Sequence, residues 1–154
     1  VCNAIMAILP PRLPNIYNGR IYELGCGWGG VSRALADHFR TIPVVGVEIS
    51  PLPFAIAWIR NILAPKSNLE LRYGNFMEMD ISDAALVVCY LSREALIQLK
   101  PKFENELAPE ALLVSNTFKM PGWQFLDTRT AQDIYKSQIY LYERNDAVAR
   151  QSHS

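Results

Sequence analysis

The chain has 154 residues, half of them hydrophobic and 19% charged, which suits one domain with a sizeable core and excludes a disordered chain. Lysine plus arginine and aspartate plus glutamate both number 15, so no broad basic field exists and nucleic acid is not the expected partner. The three cysteines, Cys2, Cys26 and Cys89, fit neither a disulfide framework nor a zinc spacing. No metal site is expected, a reducing, cytoplasmic setting is, and no run of about 18 apolar residues is present to span a bilayer.

Residues 1–9 read as the end of an apolar helix, stopped by Pro10-Pro11. A chain that starts inside a helix is expected to be a piece of a longer one, whose missing segment could tether it to a membrane. Residues 1–19 are therefore read as helix end and linker, 20–144 as the folded domain, and 145–154 as a disordered tail.

Strand and helix patterns alternate from residue 20 onward. Residues 21–24 make a short strand ended by Gly25. Residues 28–39 are helical, with Val31, Ala34, Leu35 and His38 on one face, His38 reading as a structural histidine. Residues 43–48 form a buried strand, and Ser50-Pro51 starts the next helix. Its expected buried stripe is Phe54, Ala55, Trp58, Ile59, Ile62 and Leu63. Residues 69–73 alternate like an edge strand, whereas 84–90 are continuously apolar like a central one. Ser92 caps a helix carrying Leu96, Leu99, Phe103 and Leu107, with a kink or restart expected at Pro101. Residues 111–118 and 137–144 are further strands, and 125–134 suit a hairpin partner for the last. The fold class is α/β: a doubly wound, mostly parallel seven-stranded sheet, helices on both faces, with an antiparallel last strand. Ligands of such sheets lie beyond the carboxyl ends of the strands.

Gly25-Cys26-Gly27-Trp28-Gly29-Gly30 satisfies G-x-G-x-x-G between a strand and a helix. Glu48, 21 residues after Gly27, ends the next strand, where an acid can accept both hydroxyls of a ribose. A carboxylate facing this cleft supports no packing, so its loss is expected to spare folding. The pattern leaves a nicotinamide dinucleotide and S-adenosylmethionine open. Glu23 favours the second: it would repel a pyrophosphate but attract a sulfonium and an ammonium. The chain is also too short for a second nucleotide half and a substrate domain.

Glu23-Leu24-Gly25-Cys26-Gly27-Trp28-Gly29 resembles motif I of the class I, seven-strand S-adenosylmethionine-dependent methyltransferases, and Val45-Gly46-Val47-Glu48 resembles their motif II. The likeness spans about residues 20–144 and implies the cofactor S-adenosylmethionine. It implies that Glu23 and the Gly25, Cys26 and Gly27 backbone hold the methionine part, that Trp28 beside them also contacts the cofactor, that Glu48 holds the ribose, and that Ile49 packs on the adenine. It places Asn75 and Phe76 near the adenine amino group, with Asn75 replacing a commoner Asp; Asn75 can equally be a turn residue beside Gly74.

Cys89-Tyr90-Leu91-Ser92 occupies the superfamily's substrate-facing position and lacks the Asn/Asp-Pro-Pro-Tyr/Phe of base N-methylating enzymes. Tyr90 and Asn116 are the expected substrate-pocket residues, and Tyr90 can also touch the cofactor or be a strand-end core aromatic. Cys26 and Cys89 read as small core fillers. Together with Val-Glu-Ile-Ser-Pro-Leu-Pro and Asn-Thr-Phe-Lys-Met-Pro-Gly-Trp, these motifs are similar to small bacterial relatives of the mitochondrial membrane-tethered lysine methyltransferases. That resemblance implies N-methylation of a protein lysine. The alternatives are a small-molecule methyltransferase and a non-catalytic cofactor-binding scaffold.

Overall fold

The structure, a computed structural model, describes residues 1–144; the expected tail lies outside the described residues. Seven strands form one sheet: β1 (Arg20–Leu24), β2 (Val44–Glu48), β3 (Leu69–Tyr73), β4 (Ala84–Cys89), β5 (Leu112–Asn116), β6 (Asp127–Thr130) and β7 (Gln138–Glu143), in the order β3-β2-β1-β4-β5-β7-β6. The four pairings among β1 to β5 are parallel, as strand–helix alternation requires, and β7 runs antiparallel to both β5 and β6. Among the described residues four α-helices flank the sheet: α1 (Cys2–Ile8), α2 (Gly30–His38), α3 (Pro51–Leu63) and α4 (Arg93–Glu106).

The sheet separates two cores. One holds Ile5 and Ile8 of α1 and Leu35 and Ala36 of α2 against Ile21, Val44, Leu86 and Val88. The other holds Leu96, Leu99 and Phe103 of α4 with Met120 and Trp123 against Tyr22, Val45, Val87 and Leu113. Chain direction reverses its course across the sheet between β1 and β4, which opens the crevice at their carboxyl ends. β3 is the edge strand that its alternation indicates, and β4 is central and buried throughout.

Four local expectations are corrected. Helix α2 starts at Gly30 rather than 28, because Gly29 adopts a left-handed conformation at the N-cap. Its buried residues are Ser32, Leu35 and Ala36, followed by Phe39, and His38 is exposed, edge-on to the Phe39 ring. In α3 only Ala57 is buried, while Trp58, Ile59, Ile62 and Leu63 are about half exposed or more. That helix lies over β2 and the edge strand β3, and the sheet ends there without reaching its outer side. Finally, α4 runs unbroken through Pro101. Pro101 and Ile97 lie on the exposed side, so water can take up the carbonyl that the proline leaves unpaired, while Leu96, Leu99 and Phe103 hold the helix to the sheet.

Gly46 in β2 lets α2 sit close to the sheet. A Cβ there would stand 2.6 Å from Ser32 Oγ, 3.0 Å from Leu71 Cδ2 and 3.2 Å from Cys26 Cβ. Gly46→Ala is expected to lose about 1–3 kcal/mol of stability through overpacking, read from urea unfolding midpoints.

Candidate active site

β1 hands over to α2 through a turn in which Gly25, Gly27 and Gly29 all have φ between +51° and +79°. Side chains are strained in that region, which is why three glycines recur there. The Val47 carbonyl accepts N–H bonds from both Gly25 and Cys26, each at 2.9 Å, so the turn hangs on the end of β2. Gly25 also lies against Leu91, where a Cβ would come within 2.7 Å of Cδ2. Gly27, by contrast, has nothing within 4 Å of a Cβ position and borders open space.

Glu48 closes this arrangement. Its Oε2 accepts the Gly27 N–H at 2.7 Å and its Oε1 accepts the Ser50 N–H at 2.9 Å. The carboxylate therefore braces both the glycine turn and the start of α3, whose Ser50 makes no side-chain cap. The expectation that Glu48 is dispensable for folding is corrected on this ground. Two charge-assisted bonds of this kind are worth about 1.5–3 kcal/mol each at most.

Glu23, at the end of β1, is buried and receives a hydrogen bond from Ser32 Oγ of α2. Burial pushes its carboxyl up to about 8, opposed by the Ser32 hydrogen bonds and assisted by the charge of Glu48. Burial likewise raises the Cys26 thiol to about 12 and, more strongly, that of Cys89, with Glu23 adding to both. Neither thiol is a nucleophile at neutral pH, in keeping with their reading as fillers.

The remaining expected residues surround the same end of the sheet. Trp28 and Ile49 are exposed at 61% and 51%. Asn75 Oδ1 accepts the Met77 N–H at 3.0 Å and so caps a 3-10 turn, Phe76–Glu78, as a turn residue would; Phe76 packs on the core. Tyr90, just past β4, is 56% exposed and is not a core aromatic. Asn116, the last residue of β5, is fully buried and its Nδ2 has no partner among the described residues. An orphaned buried donor costs about 1–3 kcal/mol. Next to it Thr117 holds φ at +74°, an outlier for a β-branched residue.

Register places these groups together. Glu23 pairs with Val88, Val88 pairs with Val114, and Asn116 lies two residues beyond Val114 on the same sheet face. Sheet spacings put Glu23 and Asn116 on the order of 12 Å apart across the crevice. The sequence reading does not include Ser32, whose signal is faint, a polar side chain in the first turn of an otherwise apolar helix face. Thr117 belongs to the polar and aromatic stretch 116–123 that reads as a pocket rim, but its backbone angle is imposed by the loop it opens and leaves no mark in the sequence.

The donor set suits an adenosyl ligand with cationic groups: two carboxylates, an open glycine turn and no lysine or arginine among the residues of that turn. Because native Glu23 holds its proton up to about pH 8 whereas the unfolded chain releases it near 4.5, the folded state binds more protons in that window. Stability from this group is full below about pH 4.5 and is lost as pH rises toward 8, by up to about 1.4 kcal/mol per unit. Unfolding midpoints of ligand-free protein from pH 5 to 8 should fall, and Glu23→Gln should flatten that slope; an unchanged slope in the variant would clear Glu23 of the effect.

Residues 23–127 match the family described as the ANTKMT methyltransferase domain. A protein-lysine N-methyltransferase of Saccharolobus islandicus is 35% identical over 126 residues, covering 79% of this chain and 77% of that protein. A solved structure of an RNA methyltransferase from Salinibacter ruber, in complex with S-adenosyl-L-homocysteine, has a TM-score of 0.69 at 29% identity, covering 80% and 79% of the two chains. PKMT2 from Rickettsia typhi shares the fold with a TM-score of 0.57 at 20% identity, over 73% of this chain and 23% of that one. Among the described residues no helix is long and apolar enough to cross a membrane. With the sheet order, the glycine turn and the acid at the end of β2 in place, the chain belongs to the ANTKMT methyltransferase domain family and is a class I S-adenosylmethionine-dependent methyltransferase.

Proposed function

We propose that the protein methylates the ε-amine of a lysine in a protein substrate. The observation that carries this reading is the 35% identity, over most of both chains, to a protein-lysine N-methyltransferase. The site is compatible with it. S-adenosylmethionine supplies a sulfonium methyl for in-line displacement when bound. Glu48 would accept the ribose hydroxyls with the lone pairs left over from Gly27 and Ser50. Glu23 would face the methionine ammonium, and a cation beside it would draw off its proton. Ile49 and Trp28 would cover the adenosyl group, with Asn75 and Phe76 bordering the adenine.

The acceptor would enter between Tyr90 and Asn116. The exposed Tyr90 ring can lie along the alkyl part of a lysine, and the buried Asn116 amide backs that part of the crevice at the end of β5. A lysine has an unperturbed pKa of about 10.4 and must lose its proton before attack. Partial desolvation in this crevice lowers that value, and positioning supplies the rest.

Two measurements test the reading. Glu48→Ala should weaken S-adenosylmethionine binding by about 2–4 kcal/mol, or roughly 30- to 1,000-fold, in calorimetry run below its lowered unfolding midpoint. Glu48→Gln should lose less, and undiminished affinity in the alanine variant would remove Glu48 from the site. Mass spectrometry of candidate proteins after incubation with labelled cofactor should find the label on lysine. Label found only on RNA would move the acceptor toward that of the Salinibacter ruber protein. Label only on small metabolites would sink the protein reading, and binding without any turnover would favour a scaffold.

A further inference from the structure

The loop after β5 walls a second cleft of about 480 Å³, lined by ten residues from Arg93, 117–124 and Tyr140. None of the ten is acidic, and two are cations, Arg93 at the start of α4 and Lys119 in the loop. Both are exposed, and among the described residues neither has a carboxylate within 4.0 Å. The Lys119 ammonium sits 5.4 Å from the centre of the Phe125 ring and 5.6 Å from that of Tyr140, which holds it in place without neutralising it.

The wall is built rather than slack. Ser115 Oγ donates to the Phe118 carbonyl at 2.6 Å, and the Met120 N–H donates to the Tyr142 hydroxyl at 2.9 Å. Trp123 Nε1 donates to Glu104 Oε1 at 3.0 Å, so that carboxylate is engaged on the far side of the indole. A preformed cleft with two unneutralised cations attracts a carboxylate at little ordering cost.

We propose that this cleft receives an acidic residue of the protein substrate flanking the lysine to be methylated. The proposal rests on the lysine reading above. The cleft begins at Thr117, one residue past Asn116, and an extended chain advances about 3.3–3.6 Å per residue. A lysine at the tips of β4 and β5 and a carboxylate in the cleft thus belong to one short stretch of substrate. The strained Thr117 turns the chain at that junction. RNA fits the cleft less well, because two cations in a chain of zero net charge neutralise few phosphates.

The test uses fluorescein-labelled nine-residue peptides with a central lysine, flanked by glutamate, serine or arginine, and a nine-nucleotide uridine RNA. Fluorescence anisotropy at low salt should place the glutamate peptide at least tenfold tighter than the serine peptide, with the gap narrowing as salt rises. Arg93→Glu with Lys119→Glu should abolish that preference or reverse it toward the arginine peptide. Lys119→Gln should reduce the preference severalfold while its thermal midpoint stays near wild type. Equal affinity for the three peptides, a preference that survives the double charge reversal, or tighter binding of the RNA would overturn the proposal. S-adenosylmethionine calorimetry on the same preparations separates the two readings, since loss of cofactor binding in the parent chain would count against the methyltransferase site and not against the cleft.

Discussion

The crevice depends on one carboxylate spanning two backbone amides. Glu48 ties the Gly27 N–H to the Ser50 N–H, and through them it ties the turn after β1 to the junction between β2 and α3. A turn with three left-handed residues has little local reason to hold a single shape. Here its first two amides hang on Val47 and its third on Glu48. Gly27 itself borders open space, so the held turn keeps a face toward the crevice. On the function proposed above, the two oxygens that brace the architecture would also receive the ribose.

Behind that turn lies a second layer with a different logic. Glu23, Ser32 and Gly46 form a stack from β1 through α2 to β2, in which a missing Cβ makes room for a hydroxyl and the hydroxyl satisfies a buried acid. A protonated carboxyl is tolerable in such a place, and a bare carboxylate is not until a cation arrives. The neighbouring thiols are silenced by the same burial, so the site carries charge chemistry without cysteine chemistry.

Much of this is legible in the sequence, for identifiable reasons. Central strands such as β4 are buried on both faces and announce themselves as unbroken apolar runs, and the edge strand β3 announces itself by alternation. The glycine turn and Glu48 were legible because left-handed backbone and a strand-end acid leave residue-level marks. What a helix faces was harder to read. The apolar stripe of α3 reads as core in the sequence because periodicity reports that one side is apolar, not that the sheet extends far enough to cover it. In α2, which begins after the turn's extra glycine, the buried face runs through Ser32, Leu35 and Ala36 and leaves His38 outside. Asn116 could be named from its strand-end position, but its orphaned amide belongs to packing that no local pattern encodes.

The uncovered side of α3 has a consequence for how the protein behaves in bulk. Leu52, Trp58, Ile59, Ile62 and Leu63 are all exposed on a helix of a chain whose isoelectric point lies near 6.9. Around neutral pH no net charge holds copies apart, while apolar side chains reward contact between them. Colloidal stability is therefore lowest where a neutral buffer would be chosen by habit. Moving the pH away from the isoelectric point restores repulsion between molecules, and kosmotropic salts such as sulfate push the other way by strengthening apolar association.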